Sequence, residues 1–457
     1  MTITDVRPES NEPGGRIPLS YNQEFLRGFD KGATDGAFGH RHILVCGWRV
    51  TGTVDPDALR GALDDVVARH EILRTSVLGD ADGGHQVVHP PAPAELRVVD
   101  VPDDGGTREE RAEAFLNDLD ATPFSVTRLP HVRAVLGRFD ANDGVLVLVT
   151  HHTATDAWSL QVIMRDLADA YEARAGGGRP VTSAAPQYQE FARRQLEQAD
   201  GPRTDRERGY WRDRLAGAQI TGVTTDRPRE EVPSAYGVHR FVFDAELSRT
   251  VADFARTTRS TPFMVLAAAY GVLLRRRTGV TDVVFPTFSS GRSDERFVDS
   301  VGPFFNFVPI RIDTTPCATL ADVLDRARAA CLGAYEHEIP FARIAEDSPA
   351  LLAPFADGFL AVVAFEVLQS PFPLDDRTVA GARFTEIRHR VRSQEVSSAI
   401  PDGGLWAMDV LPGGRLAGSL KFDRNRFDEA TAVGLVDEFR TLLRRLAEAP
   451  GTALADL

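Results

Sequence analysis

Residues 144 to 171, GVLVLVTHHTATDAWSLQVIMRDLADAY, pass from a continuous apolar run into a helical stripe with no proline or glycine between them. The first part has the length and valine content of a buried strand, whereas Trp158, Val162, Ile163, Leu167, Ala170 and Tyr171 recur at helical spacing. A strand feeding directly into a helix belongs to a layered α/β arrangement. Just upstream, HVRAVLGRF reads as a partner strand, with Asn142-Asp143-Gly144 as the turn. Two histidines and an aspartate therefore sit at a strand-to-helix junction, where polar side chains are free to act.

Further elements extend this reading along the 457 residues, a length that suits two or three domains. Asp55 is placed to cap a helix that begins at Pro56 and buries Leu59, Leu63, Val66 and Val67. PLSYNQEFLRGFD opens an ordered helix, and 79–93 reads as a hairpin or loop. Three glycines and two prolines between 176 and 187 mark a boundary, after which a highly polar helical segment forms a bridge. From Val238 the order strand, helix, buried helix, strand repeats that of the first half, and a last amphipathic helix runs over about Asp428 to Glu448. We expect a flexible N-terminus over 1–17, a first lobe over 18–180, a helical bridge over 181–237 and a second lobe over 238–457.

The net charge of −14 disfavours nucleic acid and anionic membranes as partners, because both require a broad basic surface. Lys31 and Lys421 are the only lysines, which removes most Schiff-base candidates. Cys46, Cys317 and Cys331 are widely spaced and lack a CxxC, so they read as buried free thiols of a reducing cytoplasm. The longest nearly apolar run, 263–274, is about twelve residues, short of the roughly twenty that span a bilayer. A polar start without a secretory pattern agrees with a cytoplasmic protein.

Neighbouring strand residues face opposite ways, so His151 and His152 share one cleft only if the strand has ended between them. One imidazole is then available as a general base and the other is structural. Asp156, at the helix start, reads as a brace or N-cap more than as the base. The bland alternative makes both histidines satisfied strand-end residues. A metal site lacks a completing ligand cluster, and the His40-Arg41-His42 pair has no fixed distance to the first pair. No GxSxG, phosphate loop or dinucleotide fingerprint is present.

The junction resembles the HHxxxDG signature of the nonribosomal peptide synthetase condensation-domain family, related to chloramphenicol acetyltransferase, with Ala157 in the glycine position. Six more family motifs occur in order: PLSYNQEFL, RHEILRTSV at 69–77, YQEFARRQ, VGPFFNFVPIRI, HEIPFARIAED and FDRNRFDEATA. The resemblance spans 18 to about 440. It implies two acetyltransferase-like lobes in a V-shaped pseudo-dimer with a central tunnel. It also implies acyl transfer from the phosphopantetheine thioester of an acyl or peptidyl carrier protein to a small-molecule alcohol or amine, with no bound cofactor or metal. His152 matches the histidine that deprotonates or orients the acceptor, His151 its support, and Asp156 the structural aspartate whose salt-bridge partner is Arg292. Trp158, Ser159 and Asn306, with Ala157, are candidate tunnel residues, and Ser159 is a candidate oxyanion donor.

No adenylation or carrier segment follows, so the resemblance points to a free-standing enzyme like the enediyne ester-forming ones. Epimerisation lacks its second acid-base glutamate here. A docking platform without catalysis remains as the other class, and Ala157 is the motif feature that favours it: an alanine restricts a backbone that needs positive φ, yet suits an ordinary helix.

Overall fold

The computed structural model describes residues 16–32, 36–80, 83–176, 184–368, 377–396, 400 and 402–457. Residues 1–15 of the expected flexible N-terminus and the expected boundary at 180/181 lie outside them.

A six-stranded sheet organises the first half. Its strands run in the order Arg377–Val379, Ala382–Glu386, Ile43–Thr51, Asp143–His151, Val132–Asp140 and Glu95–Asp100, antiparallel except for the parallel last pair. The apolar run at 145–149 serves both faces. Leu146 and Leu148 pack in a core with the helices Pro56–Arg69 and Ala157–Ala175, while Val145, Val147 and Val149 pack with Leu116 of the helix Arg108–Asp120. Both faces are covered, which is why the strand is apolar throughout rather than alternating. Asp55 caps its helix as its side chain accepts from the amides of Asp57 and Ala58.

The turn before this strand lies one residue or two earlier than the Asn-Asp-Gly signal places it. Asp140 and Asp143 pair directly across an irregular register, so Asp143 and Gly144 already belong to the strand. The Asp140 carboxylate accepts the Asn142 amide at 2.7 Å, a local bond that closes the turn there.

In the second half, a five-stranded sheet has the order Val363–Leu368, Gly404–Val410, Leu416–Asp423, Tyr236–Val242 and Gln394–Val396. The helices Ala245–Thr257, Pro262–Thr278, Leu320–Glu336 and Glu429–Glu448 contribute to its core. Strands Asp282–Ser289 and Asn306–Asp313 pair antiparallel over eight residues. The polar bridging segment forms two helices, Tyr188–Glu197 and Pro202–Arg214, and is anchored at both ends: Tyr188 is buried in the first core and Trp211 in the second.

Two segments of the second half cross over. The strands at 377–386 add to the first-half sheet through the pairing of Ala382–Glu386 with Ile43–Thr51. The loop 290–305 sends Phe297, Val301 and Phe304 into the first-half core. Each half is thus a mixed α/β unit built on a large sheet, the class expected from the sequence. Of the three free cysteines, only Cys331 is fully buried, whereas Cys46 and Cys317 are half-buried. Among the described residues, no helix is long and apolar enough to cross a membrane.

Candidate active site

The strand Asp143–His151 ends at the first histidine, and the three residues after His152 form a turn held by its own hydroxyls. Thr150 and Thr155 hydroxyls meet at 2.6 Å, and Thr155 also donates to the His151 carbonyl at 3.2 Å. The chain then enters the helix at Ala157, with Asp156 as N-cap. Because the strand ends between them, the two imidazoles have separate environments.

His151 is sealed. Its Nε2 lies 3.0 Å from the Gly39 carbonyl, which can only accept, so the proton is on Nε2 and Nδ1 accepts from Thr153. Burial, reinforced by His131, holds its pKa down to about 3. His131 is equally enclosed, donates to the Thr75 carbonyl and is held at about 4 by burial. Both histidines titrate near 6.5 once unfolded. Below that pH the unfolded chain binds protons that the fold does not, so their contribution is complete above about pH 6.5 and is lost as pH falls toward 4. We expect a lower urea midpoint at about pH 5 than at about pH 7. The difference should shrink in His131→Gln, and an identical difference in that variant would refute the assignment.

His152 is half-buried. Its Nδ1 is 2.8 Å from the Thr155 carbonyl, which fixes the proton on Nδ1 and leaves a lone pair on Nε2. The ring stacks on His42 at 4.6 Å between centroids with 20° between planes, and the Phe305 ring lies 4.8 Å away. Its pKa is lowered, chiefly by burial, while Asp156 and the Thr155 carbonyl work against that shift. A neutral imidazole with a free lone pair in a half-open site can accept a proton from a hydroxyl or amine.

Asp156 has no spare capacity for proton transfer. Its carboxylate accepts the Ser159 amide at 2.7 Å, the Phe304 amide at 3.1 Å, and Arg292 Nη1 and Nη2 at 2.7 and 3.1 Å. Arg292 spends both Nη groups here: it also donates to the Ser290 and Ser300 carbonyls and the Ser159 hydroxyl, and its guanidinium lies 4.2 Å from the Phe304 ring centroid, while its buried Nε has no hydrogen-bond partner. The pair is a bidentate bridge between the site helix and the 290–305 loop. Gly291 delivers Arg292 to this position, since its φ is +63° and an added Cβ would lie 1.8 Å from the Phe304 carbonyl oxygen.

Two candidate tunnel residues, Ser159 and Asn306, are hydrogen-bonded to the protein itself. The Ser159 hydroxyl donates to the Gly302 carbonyl at 2.9 Å and accepts from the Gly302 amide and Arg292 at 3.0 Å, so it braces the loop and cannot serve as an oxyanion donor. Asn306 is buried and spends its amide on Glu338, Ile339 and Phe341. Trp158 is half-buried, and its indole N–H donates to the Val298 carbonyl, so it too holds the loop. Ala157 is exposed at the first helical position and is absent from the left-handed backbone residues, so the alanine there carries no strain.

Sequence reasoning left His42 unplaced and did not single out Asn22 or Phe305. Asn22 Nδ2 donates to the carbonyls of Pro303, Phe304 and Phe305, pinning the loop that presents Phe305 to His152. The signal in the sequence was the motif PLSYNQEFL itself, whose asparagine had no local task. In RHEILRTSV, Arg69 and His70 both meet Asp166 of the site helix at 2.8 Å.

A family model described as Condensation domain matches residues 38–457. A linear gramicidin synthase polypeptide of Brevibacillus parabrevis is 28% identical over 99% of this chain and 9% of its own length. Chondramide synthase cmdD of Chondromyces crocatus is 31% identical over 89% of this chain and 10% of its own. The chain thus spans about a tenth of these curated relatives. Among solved structures, the SgcC5 protein from Streptomyces globisporus, in complex with (R)-(-)-1-(2-naphthyl)-1,2-ethanediol and sucrose, is 41% identical with a TM-score of 0.91, covering 95% of this chain and all of that one. The X-domain from teicoplanin biosynthesis, in complex with OxyB, is 28% identical with a TM-score of 0.75, covering 99% and 97%.

Proposed function

Because this chain belongs to the condensation-domain family of nonribosomal peptide synthetases, we propose that it transfers an acyl or aminoacyl group from a carrier-protein phosphopantetheine thioester to a hydroxyl of a small-molecule alcohol. The product is an ester in a natural-product pathway. The observation that carries the reading is the His152 ring, neutral and partly open, with Nδ1 committed to the Thr155 carbonyl and Nε2 left as the base. The likeness to a protein crystallised with an aryl ethanediol supports an alcohol over an amine.

In this mechanism His152 Nε2 takes the hydroxyl proton as the oxygen attacks the thioester carbonyl. The tetrahedral intermediate collapses with cleavage of the C–S bond, and the thiolate recovers the proton from the imidazolium. His151 keeps the turn in place, and Asp156 with Arg292 holds the site helix against the loop that carries Phe305. Orientation of two bound substrates supplies much of the rate, since a thioester is already activated.

The test is mass spectrometry of the protein with a panel of acyl-carrier thioesters and 1-(2-naphthyl)-1,2-ethanediol or its amine counterpart. We expect ester with the diol and at least one donor, and exclusive amide formation would overturn the alcohol assignment. A second reading, a docking platform for another enzyme, is favoured by the likeness to the X-domain in complex with OxyB. Absence of product with every pairing would select that reading.

A further inference from the structure

The active-site imidazole has a twin. His42 immediately precedes the strand Ile43–Thr51, and its carbonyl accepts the His152 amide at 2.8 Å, so the two residues are tied by backbone as well as by stacking. The His42 Nδ1 lies 2.8 Å from the Ala37 carbonyl, an acceptor only, and therefore carries the ring proton. The same logic put the His152 proton on Nδ1. The stack thus consists of two neutral rings in the same tautomer, each with its lone pair on Nε2.

Neither Nε2 has a hydrogen-bond partner among the described residues, and neither is a sealed, unsatisfied atom, because both rings are half-buried. The neighbouring imidazoles behave differently: His151 uses both nitrogens, and His131 is fully enclosed. Burial holds the His42 pKa well below its ordinary value, and His152, His151 and Lys421 all oppose its protonation. His42 is accordingly a standing acceptor that calls for a donor from a ligand.

We propose that His42 is an acceptor-binding residue whose Nε2 receives a second hydroxyl of the molecule that His152 activates, so that the stacked pair selects a diol with adjacent hydroxyls over a mono-alcohol. This rests on the alcohol-acylating reading above. The ring centroids lie 4.6 Å apart with 20° between planes, a spacing compatible with two hydrogen bonds of about 2.7–3.2 Å from hydroxyls on adjacent carbons. The hydroxyl on His152 loses its proton and becomes the ester oxygen, while the one on His42 keeps its proton and fixes which hydroxyl reacts.

The experiment compares kcat/KM for 1-(2-naphthyl)-1,2-ethanediol with that for 1-(2-naphthyl)ethanol and 2-(2-naphthyl)ethanol, in the wild type and in His42→Phe, which keeps an aromatic face and removes the acceptor. We expect the wild type to favour the diol by about 10- to 100-fold, a preference that His42→Phe removes. His42→Asn, which restores an acceptor oxygen, should recover part of it, and it also serves if the phenylalanine variant does not fold. An equal loss on all three acceptors would overturn the proposal and leave His42 as a support for the His152 ring. If the wild type acylates none of them, the acyl-transfer reading fails, and calorimetric binding of the diol decides the site separately. About tenfold weaker binding to His42→Phe supports it, and equal affinity overturns it.

Discussion

We expect His152→Ala to lower the rate of the proposed ester formation by about 10²- to 10⁴-fold, the usual span for loss of a general base, and to leave the thermal melt close to that of the wild type. The separation of the two readouts follows from the ring's surroundings. His152 is half-buried and spends its side chain on one carbonyl and two ring contacts, whereas its backbone amide bond to His42 survives the substitution. Single-turnover assays with a saturating acyl-carrier thioester, read beside a melt, check this outcome. Wild-type turnover by the variant would exclude His152 as the base. The pH profile gives an independent check. Burial lowers the His152 pKa, so the proposed base stays unprotonated below the ordinary histidine range. The rate should hold as pH falls through about 6.5 and decline only beneath it.

Arg292→Ala acts on the other quantity. It removes both guanidinium contacts from a carboxylate whose side chain is only 6% exposed, and it strips the Ser159 hydroxyl and two loop carbonyls of a donor. Breaking a buried pair from one side costs about 3–5 kcal/mol, because the remaining charge keeps its desolvation penalty. We expect a loss of that size in denaturant melts, with activity falling in parallel as the loop releases Phe305. A variant that melts normally and is inactive would instead give Arg292 a direct part in the chemistry. The double variant Asp156→Asn, Arg292→Ala should cost less than the sum of the two singles, since neither residue retains a partner to lose.

The elements legible in the sequence are those decided within a few residues. Asp55 and Asp156 announce their helices by spacing and chemistry, and the 145–149 run announces a buried strand, because caps and periodicity are local. Commitments that cross the chain were not legible. Ser159 and Asn306 have the side chains of substrate-facing residues, yet their partners are Gly302, Glu338, Ile339 and Phe341, and nothing near them in sequence says so. His42 was visible as an imidazole at the start of a strand. Only the register that pairs Ile43 with His151 brings it over His152. Ala157 was open to two outcomes because backbone φ is not written in residue type, and the ordinary helix found there removes the objection to an active site.

The exchange of segments between the halves sets a rule for anyone recombining them. A chimera cut at the bridging helices would leave Phe297, Val301 and Phe304 from one parent pressed into a core built by the other, and would ask residues 383–386 to pair with a foreign strand at 48–51. Transplanting the histidine-bearing half therefore means moving 290–305 and 377–386 with it. The inheritable unit of this fold is discontinuous, and a library that respects chain order alone will mostly sample mismatched cores.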